Sequence, residues 1–321
     1  MASILNGKFQ RDDMTSKAMG GTELLAHRLV DSVDSNLLQD FEIQISRTTS
    51  KDSSKRQLLW VHDLAEDPAV AHLNTKEGYD EYEKIIFVSH WQQEMYAIYL
   101  GVPYSKGVVI PNAIQPIEEH TKLDDGIIRL IYTSTPHRGL QLLYPVFDHL
   151  SKKYDNIELD VYSSFALYGW DQRDEPFQEL FKALEAHPKI RHHGAVSNDE
   201  VREALKKADI FAYPSIWKET SCLCLIEALS ASLDCVHSSL AALPETSKGL
   251  TRMYEYTENP NDHVQRFAMN LDLAIQDQIH NRYIVRSGME YAKPIVDDVH
   301  DLQVFKHKWE DLLKGLLTSE S

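Results

Sequence analysis

The sequence predicts an α/β protein of two domains, each a parallel sheet with helices on both faces. Three observations predict it. The chain has 321 residues, about twice a common domain length. Short β-branched and apolar runs alternate almost throughout with amphipathic helical stretches, the pattern of strand–helix–strand units. One polar, acidic stretch at 112–126, NAIQPIEEHTKLDDG, interrupts that alternation and reads as a linker.

The elements follow in order. In the first half, strands are expected at Phe41–Ser46, Gln57–His62, Lys84–Ser89 and Gly107–Pro111, with a poorly defined first strand before them. Helices fall at Thr22–Ser35, Tyr79–Tyr82 and His90–Leu100. In the second half, strands are expected at Ile127–Tyr132, Ile157–Tyr162, Ile190–His193, Ile210–Tyr213 and Cys235–Ser238. The helices between them are Arg138–Lys153, Pro176–His187, Asp199–Lys207 and Cys222–Ser232. The closing stretch Val299–Leu317 spaces Leu302, Phe305, Trp309, Leu312, Leu313 and Leu316 as an amphipathic helix does. The domains are therefore expected at 1–120 and 121–295, with a C-terminal helix at 296–321 that crosses back to the first. Two such Rossmann-like domains would face each other across a cleft. In open α/β sheets, ligands bind outside the carboxyl ends of the strands.

Composition narrows the function classes. At 43% hydrophobic and 26% charged residues, the chain can build ordinary cores. The net charge is −16, and neither half is basic. Nucleic-acid partners and anionic lipid are disfavoured, whereas a small anionic ligand could still be held by local cations and backbone amides. No apolar run approaches the ~18 residues of a membrane span, and MASILNGKFQRDDM lacks a signal-peptide core. The expected location is the cytoplasm, or a host's cytoplasm for a viral or phage product. Cys222, Cys224 and Cys235 are odd in number and lack C-x-x-C spacing. They read as small buried hydrophobes, not metal ligands.

The segment Tyr213–Glu227, YPSIWKETSCLCLIE, carries the most chemistry. A strand ends near Tyr213 and a helix opens near Thr220–Cys222. Glu219 precedes that helix, and Glu227 lies about two turns inside it, ~10–12 Å away. That is about the span from a sugar's reacting carbon across a diphosphate to a ribose. The free N–H groups of Ser221, Cys222 and Leu223 would face the phosphates, which a helix N-terminus favours. Taken alone, two glutamates eight apart are common and equally suit a helix surface.

This segment resembles the signature of retaining glycosyltransferases of family 4, a GT-B family using nucleotide-sugar donors. The matching residues are Pro214, Ser215, Glu219, Glu227, Ala228, Leu229, Ser230 and Ala231. Other landmarks keep the family's order. They are Gly20-Gly21-Thr22-Glu23, Val88-Ser89, Val109-Ile110-Pro111-Asn112, Tyr132–Leu140 and Leu243-Pro244-Glu245. A narrower resemblance is to a branch with RGL, VY…YGW and YP..E.SC, matched by Arg138–Leu140, Val161–Trp170 and Tyr213–Cys222. The likeness covers roughly residues 18–250. Two departures stand out. The glycine and proline after the E-A helix are replaced near Ser232 and Asp234, and the glycines before P-E are Ala241 and Ala242.

The resemblance implies a retaining, metal-independent glycosyltransferase of the hexosyltransferase type, with a GT-B fold. It implies a UDP- or GDP-sugar as donor substrate, a carbohydrate or other hydroxyl acceptor, and no further cofactor. Glu219, Arg138 and His62 are the implied catalytic residues. Arg138 would neutralise the departing diphosphate, and otherwise reads as a surface arginine at a helix end. Its loop, Ser134–His137, supplies no second arginine. His62, at a strand's carboxyl end, would contact the transferred sugar or else be a hydrogen-bonded structural histidine. Gly21 would admit the donor or acceptor close to the backbone, or simply serve a turn. Val196 would flank the base, Glu227 would hold ribose hydroxyls, and Ser221, Cys222 and Leu223 would face the phosphates. Two other readings remain: a nucleotide-sugar epimerase, and a non-catalytic sugar-nucleotide or glycan-binding relative.

Overall fold

The structure is a computed structural model that describes residues 2–11, 20–47, 52 and 54–318. Met1 and Asp12–Met14 of the N-terminal stretch, and Ala18–Met19 of the resemblance, lie outside them. The chain divides into two units: residues 1–115 with 299–321, and residues 116–298.

In the first unit, β1 (Ala2–Leu5) and β2 (Lys8–Arg11) form a hairpin, followed by α1 (Gly21–Ser32) and β3 (Phe41–Ile45). Then come β4 (Arg56–Trp60), α2 (Lys76–Asp80), β5 (Lys84–Phe87), α3 (His90–Leu100) and β6 (Gly107–Val109). The strand order is β2-β1-β3-β4-β5-β6. From β3 to β6 the pairing is parallel, with Phe41 opposite Arg56 and Ile85 opposite Gly107. The β1–β2 edge is antiparallel and corrects the expectation of a purely parallel sheet. The second helix starts three residues earlier than expected, because Thr75 caps it by accepting from the Gly78 N–H.

The second unit alternates more regularly. It contains β7 (Ile128–Thr133), α4 (Leu140–Lys153), β8 (Ile157–Tyr162), α5 (Gln178–Ala186), β9 (Ile190–His192) and α6 (Asn198–Lys207). After these come β10 (Ile210–Tyr213), α7 (Leu223–Ser230), β11 (Asp234–Ser238), α8 (Leu243–Ser247), β12 (Arg252–Tyr254) and α9 (Pro260–His280). The order β12-β11-β10-β7-β8-β9 is all parallel. Strands β10 and β11 are buried along their whole length, as helix-covered parallel strands are.

Two further helices, α10 (Arg282–His300) and α11 (Leu302–Thr318), close the chain. Helix α11 buries Phe305, Trp309, Leu313 and Leu316. It packs in the first unit, where Trp309 meets Trp60 edge-on at 5.2 Å. No helix among the described residues is long and apolar enough to cross a membrane. The stretch 112–126 has no helix or strand but is anchored. The Ile117 N–H donates to Ser230 Oγ at 2.8 Å, and Lys122 Nζ donates to the Leu205 and Ala208 carbonyls. Cys222 and Cys235 are buried and Cys224 is half-buried, all as free thiols.

Two positions where the resemblance would place glycine carry backbone strain. Ser232 has φ +57° and Ala241 φ +54°, a region that costs an L-residue ~1–2 kcal/mol. Glycine would relieve this, less the ~0.5–1 kcal/mol of its extra chain entropy. Ser232→Gly and Ala241→Gly should therefore each stabilise the protein by about 0.5–1 kcal/mol, read as a raised urea midpoint. A lowered midpoint in both variants would mean that neither backbone is strained.

Candidate functional site

The site forms where β7 and β10, neighbours in the second sheet, end at their carboxyl edges. After β7 the chain makes a tight 3-10 turn, Pro136–Arg138, and α4 opens at Leu140 behind Gly139. Arg138 thus ends the turn before the helix, which corrects its expected place at the helix start. Gly139 dictates this. Its φ is +125°, and a Cβ there would lie 2.2 Å from the Pro214 carbonyl oxygen. Without a side chain, the turn after β7 packs directly on the loop after β10. The Ile216 N–H also donates to the Arg138 carbonyl at 3.4 Å.

Across this contact Arg138 meets Glu219. Arg138 Nη1 donates to Glu219 Oε1 at 2.9 Å and to Oε2 at 3.2 Å. Tyr213, the last residue of β10, donates its hydroxyl to the same Oε1 at 2.6 Å. The Glu219 carbonyl accepts from the Ala242 N–H at 3.1 Å. Glu219 is buried, whereas 25% of the Arg138 side chain remains exposed. Burial opposes the guanidinium charge, but Glu219, joined by the neighbouring Tyr213, Tyr168 and Cys224, more than offsets it and holds Arg138 protonated.

Several buried polar atoms nearby have no hydrogen-bond partner among the described residues. They are Thr133 Oγ1, Thr135 Oγ1, Ser163 Oγ, His137 Nδ1 and Arg138 Nε. Buried polar atoms are normally paired, so their concentration at the carboxyl ends of β7 and β8 suits a polar ligand. His137 stacks on Phe165 at 5.1 Å and meets Trp217 edge-on at 4.7 Å. Burial first, then Arg138 and Arg173, push its pKa down to about 4. It can therefore offer a ligand a neutral hydrogen bond but no charge.

Helix α7 begins at Leu223, with Cys222 as its N-cap. Ser221 and Cys222 therefore precede the helix, and of the three expected phosphate-facing N–H groups only that of Leu223 lies in its first turn. Glu219 is tied through both its carboxylate and its carbonyl, which holds the following residues on a non-helical path. Glu227 is buried within α7 and accepts from Asn198 Nδ2 at 3.1 and 3.3 Å. Asn198 opens α6, directly after the turn Gly194–Val196, where Gly194 has φ +66°. The structure thus brings Arg138 to Glu219 and ties Glu227 to the segment that follows Val196.

Gly21 and His62 belong to the first unit. Gly21 is the first residue of α1, behind Gly20 as N-cap. His62 lies two residues beyond β4, with its ring 4.7 Å from that of Trp60. Sequence reasoning did not assign Tyr213, Asn198 or Gly139. Gly139 and Tyr213 had a signal, as the glycine of RGL and the tyrosine of YP..E.SC, and Asn198 had none.

Burial pushes His62 down to about 3 and His237 to about 4. An unfolded histidine titrates near ~6.5, so the unfolded chain binds more protons below that pH. The stability these neutral histidines confer is complete above pH ~6.5 and is lost as pH falls towards 4 and 3, at up to ~1.4 kcal/mol per pH unit each. His62→Gln should flatten the fall in unfolding free energy between about pH 6 and 4.5, measured by urea titration. An unchanged slope would mean that His62 is not held neutral.

Residues 115–290, more than half of the chain, match the family described as glycosyl transferases group 1. One curated relative is a component of the phosphatidylinositol N-acetylglucosaminyltransferase of Homo sapiens. It is 26% identical over 165 residues, which are 50% of this chain and 33% of that protein. The chain therefore spans about a third of that relative's length. A crystal structure of a glycosyltransferase from Rickettsia africae aligns with TM-score 0.67 and 14% identity, covering 97% of this chain and 85% of that one. Anabaena HepE, solved with UDP-glucose, aligns with TM-score 0.63 and 13% identity over 81% of this chain and 72% of that one. Both likenesses are of fold, and the fold is GT-B, with two Rossmann-like units. With more than half of its length matched, the chain belongs to the glycosyl transferases group 1 family.

Proposed function

We propose that this protein transfers a sugar from a nucleotide-sugar donor to a hydroxyl acceptor, with retention of configuration and without a metal. The observation that carries this reading is the joined Arg138–Glu219 pair at the carboxyl ends of β7 and β10, in a chain of a glycosyltransferase family. The UDP-glucose complex of HepE supports a UDP-sugar as the first donor to try. Glu227 receives the ribose hydroxyls, and the turn containing Val196 flanks the base. The first-turn N–H groups of α7, with Arg138, hold the diphosphate. Glu219 lies beside the transferred sugar. The leaving phosphate takes the acceptor's proton on the same face, while the cation and the helix end carry its charge.

The test is a thermal-shift screen against UDP, GDP and their sugars, followed by donor hydrolysis with and without EDTA. A diphosphate that binds the native state raises its melting temperature. Hydrolysis should survive chelation. If no nucleotide shifts the transition and no donor is consumed, the reading is wrong. Activity lost in EDTA and restored by Mn²⁺ would remove its metal-free part.

A further inference from the structure

We propose that Tyr213 is a positioning residue for Glu219, holding its carboxylate in place when Arg138 turns from it to a donor diphosphate. The proposal rests on the reading of this site as a sugar-transfer site and concerns one residue that the reading does not use.

The two partners of Glu219 are held very differently. Tyr213 ends a strand paired on both sides, with β7 and with β11, where it lies opposite His237. It is fully buried, and its ring packs 5.9 Å from Tyr132 and 5.4 Å from Phe211. Its hydroxyl is therefore a fixed point, 2.6 Å from Glu219 Oε1. Arg138 ends a three-residue turn, keeps 25% of its side chain exposed, and has an unpartnered Nε. A diphosphate offers that guanidinium more negative charge than one carboxylate does, so Arg138 is the partner that can leave.

Losing Arg138 would leave Glu219 as a buried carboxylate, an expensive state unless another donor remains. Tyr213 is that donor. Burial, followed by the neighbouring Glu219, raises its phenol well above the usual range, so its proton is present at every working pH. Tyr213 thus keeps the carboxylate aimed while the phosphate occupies Arg138.

Tyr213→Phe removes only the hydroxyl and preserves the ring packing. UDP affinity, measured by calorimetry, should change by less than about twofold. Donor turnover should fall about tenfold, the worth of one hydrogen bond to a charged group. The loss should fall on turnover and leave the donor Michaelis constant unchanged, because the hydroxyl aims Glu219 and is not itself a nucleotide contact. A merely structural tyrosine would lower turnover and donor binding together. Melting of Tyr213→Phe, Glu219→Gln and the double variant guards against a folding defect. Loss of the hydroxyl should matter less once the carboxylate is gone. Additive losses would overturn the proposal, as would unchanged turnover in Tyr213→Phe. A wild type that neither binds UDP or GDP nor consumes any donor would remove the transfer reading and this proposal together. An active wild type with an indifferent Tyr213→Phe would remove this proposal alone.

Discussion

Glu219→Gln is expected to lower turnover by about a hundredfold or more, the scale of a well-placed carboxylate at a reacting centre, while nucleotide diphosphate affinity holds or improves. Both halves come from the same geometry. Glu219 is buried and bonded to Arg138 Nη1 through both oxygens, so in the free protein it competes with phosphate for that cation. The amide keeps the shape but not the charge, and it frees Arg138 for the ligand. Stability should fall, because a part-buried guanidinium loses its counter-charge. The measurement is turnover and the donor Michaelis constant, paired with UDP calorimetry. Unchanged turnover with a raised Michaelis constant would place Glu219 on the nucleotide instead of beside the transferred sugar.

Arg138→Ala is expected to cut nucleotide diphosphate affinity by roughly 10- to 150-fold, the worth of a charge-assisted hydrogen bond at ~1.5–3 kcal/mol. Affinity for the bare nucleoside should barely move. The structure adds a second effect, because Arg138 is also the counter-ion of buried Glu219. Its removal should destabilise the fold by about 2–3 kcal/mol, less than the ~3–5 kcal/mol of a fully buried pair, because the guanidinium is partly exposed. Adding Glu219→Gln should recover much of that stability without restoring diphosphate affinity. Arg138→Lys should rescue both properties in part, since a point charge serves where a fork is not required. A surface arginine would give a stability change within ~0.5 kcal/mol and no effect on ligands. Equal UDP affinity in wild type and Arg138→Ala would take Arg138 out of the site.

Much of the fold is legible in the sequence for local reasons. Strands Ile157–Tyr162 and Ile210–Tyr213 and helix His90–Leu100 have the same limits in sequence and structure. The strands are short apolar runs, and Ser89 caps the helix by accepting from the Gln92 N–H. Other elements were equally local but went unread. Asn6-Gly7 has positive φ at both residues, +51° and +69°, as a two-residue hairpin turn requires. Its strands of four residues are too short to show alternation. Helix α9 starts at Pro260 behind Asn259 and buries Phe267, Leu271, Ala274 and Ile275 at helical spacing.

The candidate site divides along the same line. Glu219, Glu227 and Arg138 stand out in the sequence because their residue types and spacing in one chain segment are local properties. Helix α7 opens one residue past the expected Cys222, because Glu219 is restrained by Tyr213, Arg138 and Ala242, contacts that no propensity contains. By itself the sequence determined the alternation of strands and helices, the acidic charge and the identities of the ionisable groups. Only the tertiary structure decided which of them meet. Arg138 and Glu219 are 81 residues apart, and they pair because the strand order sets β7 beside β10. Gly139 then lets the two loops touch. Which strands become neighbours depends on the packing of the whole sheet, and hence so does the partner of each charge at its edge.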